Sequence, residues 1–153
     1  MLAVTLSGCR GGTDGSSLTG SSAPATQAPS SARTATTTPI IIEFDGQQIA
    51  GELGDSAASA SFIDQLPLTL SFRDYGGQEK IAELPAPLNL AGAPDGSDAA
   101  PLTIGYYVPD QRLVLYYEQV SYFPGIVPIG TFANADDIRS QTRDFTATIR
   151  EAG

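Results

Sequence analysis

In residues 66–75, "LPLTLSFRDY", a large apolar side chain occupies every second position from 66 to 72. In an extended strand this period of two puts Leu66, Leu68, Leu70 and Phe72 on one face, whereas a helix would spread them around its axis. Arg73 and its alternate neighbours fall on the opposite face. The segment therefore predicts a strand with one buried side, and the fold must contain a sheet that covers this apolar face.

Two hairpins and three further strands follow from the same kind of pattern. Residues 40–44 and 48–53 flank Asp45-Gly46, a dipeptide typical of a two-residue hairpin turn, and "LTIGYYV" and "RLVLYYE" flank Pro109-Asp110. "KIAELP", "IVPIGTF" and "DFTATIRE" bring the total to about eight strands, and Pro128 indicates an edge or a bulge. The residues predicted to face inward are Ile104, Tyr106, Val108, Leu113, Leu115, Tyr117, Phe145, Ala147 and Ile149.

Helical signals are few. Asp55 is predicted to cap a helix of about ten residues in "SAASASFIDQ", with Ala58 and Phe62 on one face and Pro67 preventing continuation. "ANADDIR" predicts one helical turn, and residues 85–101, which contain four prolines, predict a long loop. The predicted fold is mainly β, a small closed antiparallel barrel, because a sheet of this many strands removes its exposed edges by closing. A β-sandwich is the alternative.

The composition changes sharply at Pro39. Residues 10–38 are almost entirely Gly, Ser, Thr, Ala and Pro, and such a segment buries too little apolar surface to offset its ordering entropy. It is predicted to be a disordered tether with a root-mean-square reach of roughly 30 Å. Residues 39–153 are predicted to form one domain.

The tether follows the single cysteine of the chain. Leu6-Ser7-Gly8-Cys9 resembles a bacterial lipobox, in which two small residues precede the cysteine that is acylated. Residues 1–9 are interpreted as part of a lipoprotein signal peptide, and a longer precursor is expected because no Lys or Arg precedes the short apolar stretch from Leu2. We expect acylated Cys9 to attach the protein to the lipid bilayer, in the cell envelope and outside the cytoplasm.

Charge and residue usage exclude several functions. Eight basic and 17 acidic residues give a net charge of −9, and the scattered basic residues provide no footprint for nucleic acid. The chain has no histidine, so a Ser-His-Asp or Cys-His centre cannot form. One cysteine cannot form a thiolate cluster, and Asp95, Asp98 and Asp110 lack the spacing of a calcium loop. We predict neither a metal site nor a cofactor.

The order of features in the domain resembles the bacterial cyclophilin-like domain family. A hairpin, a helix ending at Leu66-Pro67, a strand, Glu79-Lys80, a proline-rich loop, the tyrosine hairpin and a late Ile129-Gly130 carry this resemblance over nearly all of residues 39–150. It implies a closed barrel of the cyclophilin type. It does not imply the activity of true cyclophilins, which are prolyl isomerases that use an arginine beside an apolar pocket.

Three sets of residues are candidates for a site. Phe72-Arg73 resembles the phenylalanine-histidine-arginine segment of the isomerases without its histidine, so Arg73 is the one catalytic candidate. Glu79 and Lys80 point to opposite faces of a strand and are interpreted as part of a solvated turn. Outward rings on the tyrosine strands, Tyr107, Tyr116 and Tyr122, are candidates for stacking on a sugar or peptide.

These observations predict an envelope-anchored lipoprotein whose cyclophilin-like domain is a non-enzymatic binding or accessory module for an unknown peptide or small-molecule ligand. One alternative is a peptidyl-prolyl cis-trans isomerase acting on exported proteins through Arg73. The other is a carbohydrate-binding module that uses the outward tyrosines.

Overall fold

The computed structural model describes residues 36–153, so the predictions for Cys9, the lipobox and residues 10–35 lie outside the described part of the chain. The first strands are β1 (Thr38–Phe44), β2 (Gln47–Leu53), β3 (Leu68–Tyr75), β4 (Glu79–Glu83) and β5 (Gly96–Ala99). They are followed by β6 (Thr103–Tyr107), β7 (Arg112–Tyr116), β8 (Val120–Pro124), β9 (Ile126–Phe132) and β10 (Phe145–Glu151). The helices are α1 (Ala57–Ile63) and α2 (Ala135–Arg139), and Val108–Asp110 form a 3₁₀ turn.

Eight of these strands close into a barrel in the order β1-β10-β3-β4-β7-β6-β9-β2. Every neighbouring pair is antiparallel. The prediction of a mainly β, closed antiparallel barrel is therefore confirmed, and the sandwich alternative is wrong. Closure leaves each barrel strand paired on both sides, so the sheet has no exposed edge.

The hairpin turns form where the dipeptides predicted them. Asp45 and Gly46 have φ of 48° and 75°, the left-handed values that a two-residue hairpin turn requires and that glycine adopts without strain. Pro109 lies in the 3₁₀ turn that joins β6 to β7, and Gln111 ends it with φ of 53°. Pro128 sits at a bulge, since the register of β6 against β9 shifts between Ile104 and Gly105.

The core lies inside the barrel and contains the side chains that alternation assigned to it. Phe72 and Phe145 face each other across β3 and β10, and their rings stack with centroids 5.4 Å apart. The other predicted inward residues of the tyrosine hairpin and β10 belong to the same cluster, with Val108 packed partly buried against it. Each fully buried residue of this size stabilises the fold by about 1.5–3 kcal/mol.

Helix α1 contributes Ala58 and Phe62 to that core, as the sequence predicted. Its N-cap is Ser56, whose hydroxyl accepts from the backbone N–H of Ser59, so the assignment of the cap to Asp55 is wrong by one residue. The helix has seven residues rather than ten, because the chain turns at Asp64 and reaches Pro67. Neither helix among residues 36–153 is long and apolar enough to cross a bilayer.

One further sheet departs from the prediction. Strands β5 and β8 pair with each other as a separate two-stranded ribbon. Residues 85–101 were predicted as loop throughout, but Gly96–Ala99 become a strand through pairing with β8. Since this sequence has little strand propensity of its own, the ribbon depends on tertiary contacts.

Candidate ligand-binding cavity

The β5–β8 ribbon packs over the outer face of barrel strands β4, β7, β6 and β9. A second apolar cluster, separate from the barrel core, fills this interface: Ile81, Ala99, Val114, Tyr116 and Ile126 are buried there, and Tyr107 and Val120 pack against it. Beside the cluster lies a cavity of about 310 Å³. This volume is at the lower end of the range for small-molecule sites.

A row of three side chains crosses one end of the cavity. Strand pairing places Tyr75 opposite Glu79 and Glu79 opposite Tyr116, so all three lie on the outer face of the sheet. Directly opposed residues have Cβ atoms about 4.5–5.5 Å apart. The Glu79 carboxylate is therefore flanked by a tyrosine on each side, and all three residues line the cavity.

Gly105 makes room for the buried ring of this row. A Cβ atom at this position would lie 2.8 Å from Cε2 of Tyr116, closer than any ordinary carbon contact. The missing side chain on β6 therefore lets the Tyr116 ring lie against the strand, and Tyr116 is only 1% exposed.

Glu79 has an unusual electrostatic environment. Burial, with a smaller contribution from the nearby negative charge of Asp74, raises the pKa of its carboxyl to about 7. Among residues 36–153 the carboxylate has no hydrogen-bond or ion-pair partner. Burial also raises the pKa of Tyr116, with smaller contributions from Glu79 and Tyr107, so its hydroxyl stays neutral.

The opposite end of the cavity carries an ion pair. Arg112 Nη1 lies 2.7 Å from Asp110 Oδ2, and the Arg112 Nε is buried without a hydrogen-bond partner in the described residues. Arg112 is in register with Glu83, four residues from Glu79 along β4, which corresponds to about 13 Å. Above this end the rings of Tyr107 and Phe123 lie 6.1 Å apart, and Phe123 is 52% exposed at the mouth.

The inner face of the same strands holds a different arrangement. Lys80 is 1% exposed, and its ammonium donates to Asp74 Oδ1 at 2.7 Å and to the carbonyl of Gln141 at 2.5 Å. The hydroxyl of Tyr117 donates to the same Asp74 oxygen at 2.5 Å. Burial alone would raise the pKa of Asp74, but the bonds from Lys80 and Tyr117 hold it below its ordinary value. The interpretation of Glu79-Lys80 as a solvated turn is therefore wrong for both residues.

Arg73, the catalytic candidate, lies elsewhere. It is exposed on the outer face of β3 and lines a groove of about 300 Å³ next to the cavity. Charged side chains dominate the lining, with Glu83, Arg112 and Asp144 beside it. Phe72 borders the groove through its backbone only, because its ring is fully buried in the barrel core.

The three outward tyrosines separate in the structure. Tyr107 and Tyr116 line the cavity, with Tyr116 covered by the ribbon. Tyr122 is 63% exposed on β8 and does not line the cavity; the neighbouring Phe123 does. Sequence reasoning also missed Tyr75 and Arg112 as lining residues, and only the strand register could have placed them in the same cavity as Glu79. The described residues hold no group of three or more potential metal ligands.

Comparisons with known proteins agree with this architecture. The sequence profile of the Cyclophilin-like family matches residues 42–150. A search of curated proteins finds no significant match. The chain is similar in fold to the solution structure of a hypothetical protein from Archaeoglobus fulgidus, with a TM-score of 0.57 and 12% identity, over 79% of this chain and 99% of that one. Because the family profile spans most of the barrel, the chain belongs to the cyclophilin-like family.

Proposed function

We propose that this protein is an envelope-anchored lipoprotein whose cyclophilin-like domain binds a small ligand without catalysing a reaction. The ligand occupies the cavity between the β5–β8 ribbon and the barrel. The observation that carries the proposal is the half-buried Glu79 carboxylate, which lines this cavity without a hydrogen-bond or ion-pair partner in residues 36–153.

A buried polar group without a partner destabilises a protein, and folded proteins contain few of them. Here the Nε of Arg112 is buried without a hydrogen-bond partner in the described chain, and the Glu79 carboxylate and the Tyr116 hydroxyl, which also form no hydrogen bond there, line the same cavity. A ligand that forms hydrogen bonds with these groups offsets the cost of leaving them unpaired, and this gain contributes to its binding free energy. This convergence favours binding as the role of the cavity.

The surroundings of Arg73 favour a non-enzymatic role. A prolyl isomerase site requires an apolar pocket for the proline ring beside the arginine. The Arg73 groove is lined by Ser71, Glu83, Arg112 and Asp144, and its apolar residues are Ile81 and the buried Phe72 and Ala82. In a prolyl isomerisation assay we expect neither the full chain nor Arg73→Ala to exceed the uncatalysed rate. A rate that depends on Arg73 would establish the isomerase function instead.

Ligand binding is tested by tyrosine fluorescence and thermal shift on the full 153-residue chain, with a panel of sugars, short peptides, organic acids and amines. Phe123→Ala removes a ring at the cavity mouth, and Tyr122→Ala removes the neighbouring exposed ring that does not line it. A compound bound in the cavity should bind about 2- to 10-fold more weakly to Phe123→Ala, since stacking on a ring contributes about 0.5–1.5 kcal/mol beyond its area. Affinity should be unchanged in Tyr122→Ala.

Two results of this screen contradict the proposal. If no compound of the panel binds, the proposal that the cavity binds a small ligand is contradicted. A sugar whose affinity falls with Tyr122→Ala and not with Phe123→Ala would move the site to the exposed face of the ribbon, as the carbohydrate-binding alternative requires.

The lipid anchor is supported by the lipobox residues Leu6-Ser7-Gly8-Cys9 and by the Gly, Ser, Thr, Ala and Pro composition of residues 10–38. The chain, expressed in bacteria behind the n-region and h-region of a known lipoprotein, should incorporate alkyne-labelled palmitate and fractionate with membranes. Cys9→Ser should lose the label and the membrane association. An unlabelled wild-type chain that is exported normally would contradict the anchor.

A further inference from the structure

The row of Tyr75, Glu79 and Tyr116 at one end of the cavity combines one carboxylate with aromatic rings. Tyr75 and Tyr116 flank Glu79 on neighbouring strands, and Phe123 and Tyr107 contribute rings at the other end of the same cavity. Tyr75 is 60% exposed, so the row is accessible from solvent at one end. A carboxylate among several aromatic rings is the arrangement that recognises an organic cation, because each ring presents a negative face.

We propose that Tyr75, Glu79 and Tyr116 bind the ammonium group of a small organic cation, with an alkylated ammonium of the choline type as the favoured class. This inference rests on the function proposed above and names the ligand class of that site. The ammonium lies against the Glu79 carboxylate, and its methyl or methylene groups contact the tyrosine rings.

The charges of the cavity favour a cation over an anion. Arg112 is the basic residue that lines it, and its guanidinium is paired with Asp110. The backbone of Arg112 lies opposite Glu83, about 13 Å along β4 from the backbone of Glu79. Glu79 is therefore left as the uncompensated charge, with Asp74 as a second carboxylate nearby. An anionic ligand at this end of the cavity would be repelled by the Glu79 carboxylate, whereas the charge of Asp74 is paired with Lys80.

Binding of a cation should be coupled to ionisation of Glu79. The charged or titratable groups around it are Asp74 and Tyr75 on β3, Arg112 and Tyr116 on β7, Tyr107 on β6 and Asp110 in the following turn. The pKa of Asp74 is lowered and that of Tyr116 is raised, so neither changes charge near neutrality. With a pKa of about 7, the ionised fraction of Glu79 rises about 10-fold between pH 6 and pH 8, and affinity should rise in parallel.

The experiment is calorimetric titration of the full chain with choline chloride, with sodium chloride as the salt control and 3,3-dimethyl-1-butanol as the uncharged analogue of the same shape. Choline should bind saturably, and the neutral analogue should bind at least about 10-fold more weakly, because it lacks the charge that faces Glu79. Affinity for choline should increase from pH 6 to pH 8.

Two variants of strand β4 provide a matched comparison. Glu79→Gln removes the carboxylate of the row, whereas Glu83→Gln removes one on the same face that lines the neighbouring groove. Glu79→Gln should lower the affinity for choline at least about 10-fold and abolish its pH dependence, and Glu83→Gln should leave both within about 2-fold. Tyr75→Ala, at an exposed position, should weaken binding several-fold without unfolding the protein.

Equal affinity of choline for wild type and Glu79→Gln, or of choline and its neutral analogue, would overturn the assignment. If choline does not bind while an uncharged or anionic compound binds and is lost in Phe123→Ala, the ammonium inference falls and the proposed binding function stands. If neither choline, its neutral analogue nor any compound of the ligand panel binds, the ammonium inference and the proposed binding function are both wrong.

Discussion

Two adjacent pairs of residues show how the two faces of one sheet differ. Glu79 and Lys80 are neighbours on β4, and Tyr116 and Tyr117 are neighbours at the end of β7. Inside the barrel, Lys80 and Tyr117 both donate to Asp74. Outside it, Glu79 and Tyr116 face each other across the strands without a hydrogen bond in the described residues.

The contrast separates groups that stabilise the fold from groups available to a ligand. On the inner face Lys80 and Asp74 form an ion pair, and the pKa of Asp74 is lowered. On the outer face the uncompensated carboxyl of Glu79 has a raised pKa of about 7. Because opposite pKa shifts have opposite effects on the pH dependence of stability, the two faces can be distinguished by unfolding measurements alone.

The largest effect is expected from Lys80→Met. Methionine has a similar length but cannot donate to Asp74 or to the carbonyl of Gln141, which leaves these acceptors without their buried partner. We expect the free energy of unfolding in urea to fall by about 2–4 kcal/mol. A loss below about 1 kcal/mol would mean that the inner cluster contributes no more than a surface ion pair.

Glu79→Gln should increase the free energy of unfolding, and only at the higher pH values. Between the ordinary pKa of 4.5 and the folded value of about 7, the folded protein keeps a proton that the unfolded chain has lost. Wild-type stability therefore falls as pH rises through this window and is constant above it. At pH 8 the variant should be more stable by about 2 kcal/mol, after allowance for solvent screening, and at pH 4.5 the two should be equal.

Unfolding curves of wild type and Glu79→Gln at four pH values between 4.5 and 8 test this expectation. Glu83→Gln is the control, because Glu83 is exposed on the same face of β4. A stability difference that does not vary with pH would show that folding does not shift the pKa of Glu79.

The barrel could be predicted from the sequence and the cavity could not, for a physical reason. Alternation and turn dipeptides report which face of a strand is apolar, so all eight barrel strands and inward residues such as Phe72 and Ile149 could be predicted. The ribbon could not, since Gly96–Ala99 become a strand only through pairing with β8. Without the ribbon the outer face of β4 is expected to face solvent, and the sequence therefore favours the interpretation of Glu79 as part of a solvated turn.

Tyr116 and Tyr117 allow the two faces to be compared through the smallest chemical change, the removal of one hydroxyl. Tyr117→Phe removes the hydroxyl that donates to Asp74 inside the barrel, whereas Tyr116→Phe removes one that has no hydrogen bond among residues 36–153. We expect Tyr117→Phe to lower the free energy of unfolding by about 1 kcal/mol, the usual net contribution of a hydrogen bond, and Tyr116→Phe to stay within about 0.5 kcal/mol of wild type. The two substitutions delete the same atom from the same residue type at neighbouring positions, so their difference isolates the hydrogen bond. Equal losses in urea unfolding would indicate that the Tyr116 hydroxyl has a stabilising partner, and the outer face would then be as well satisfied as the inner one.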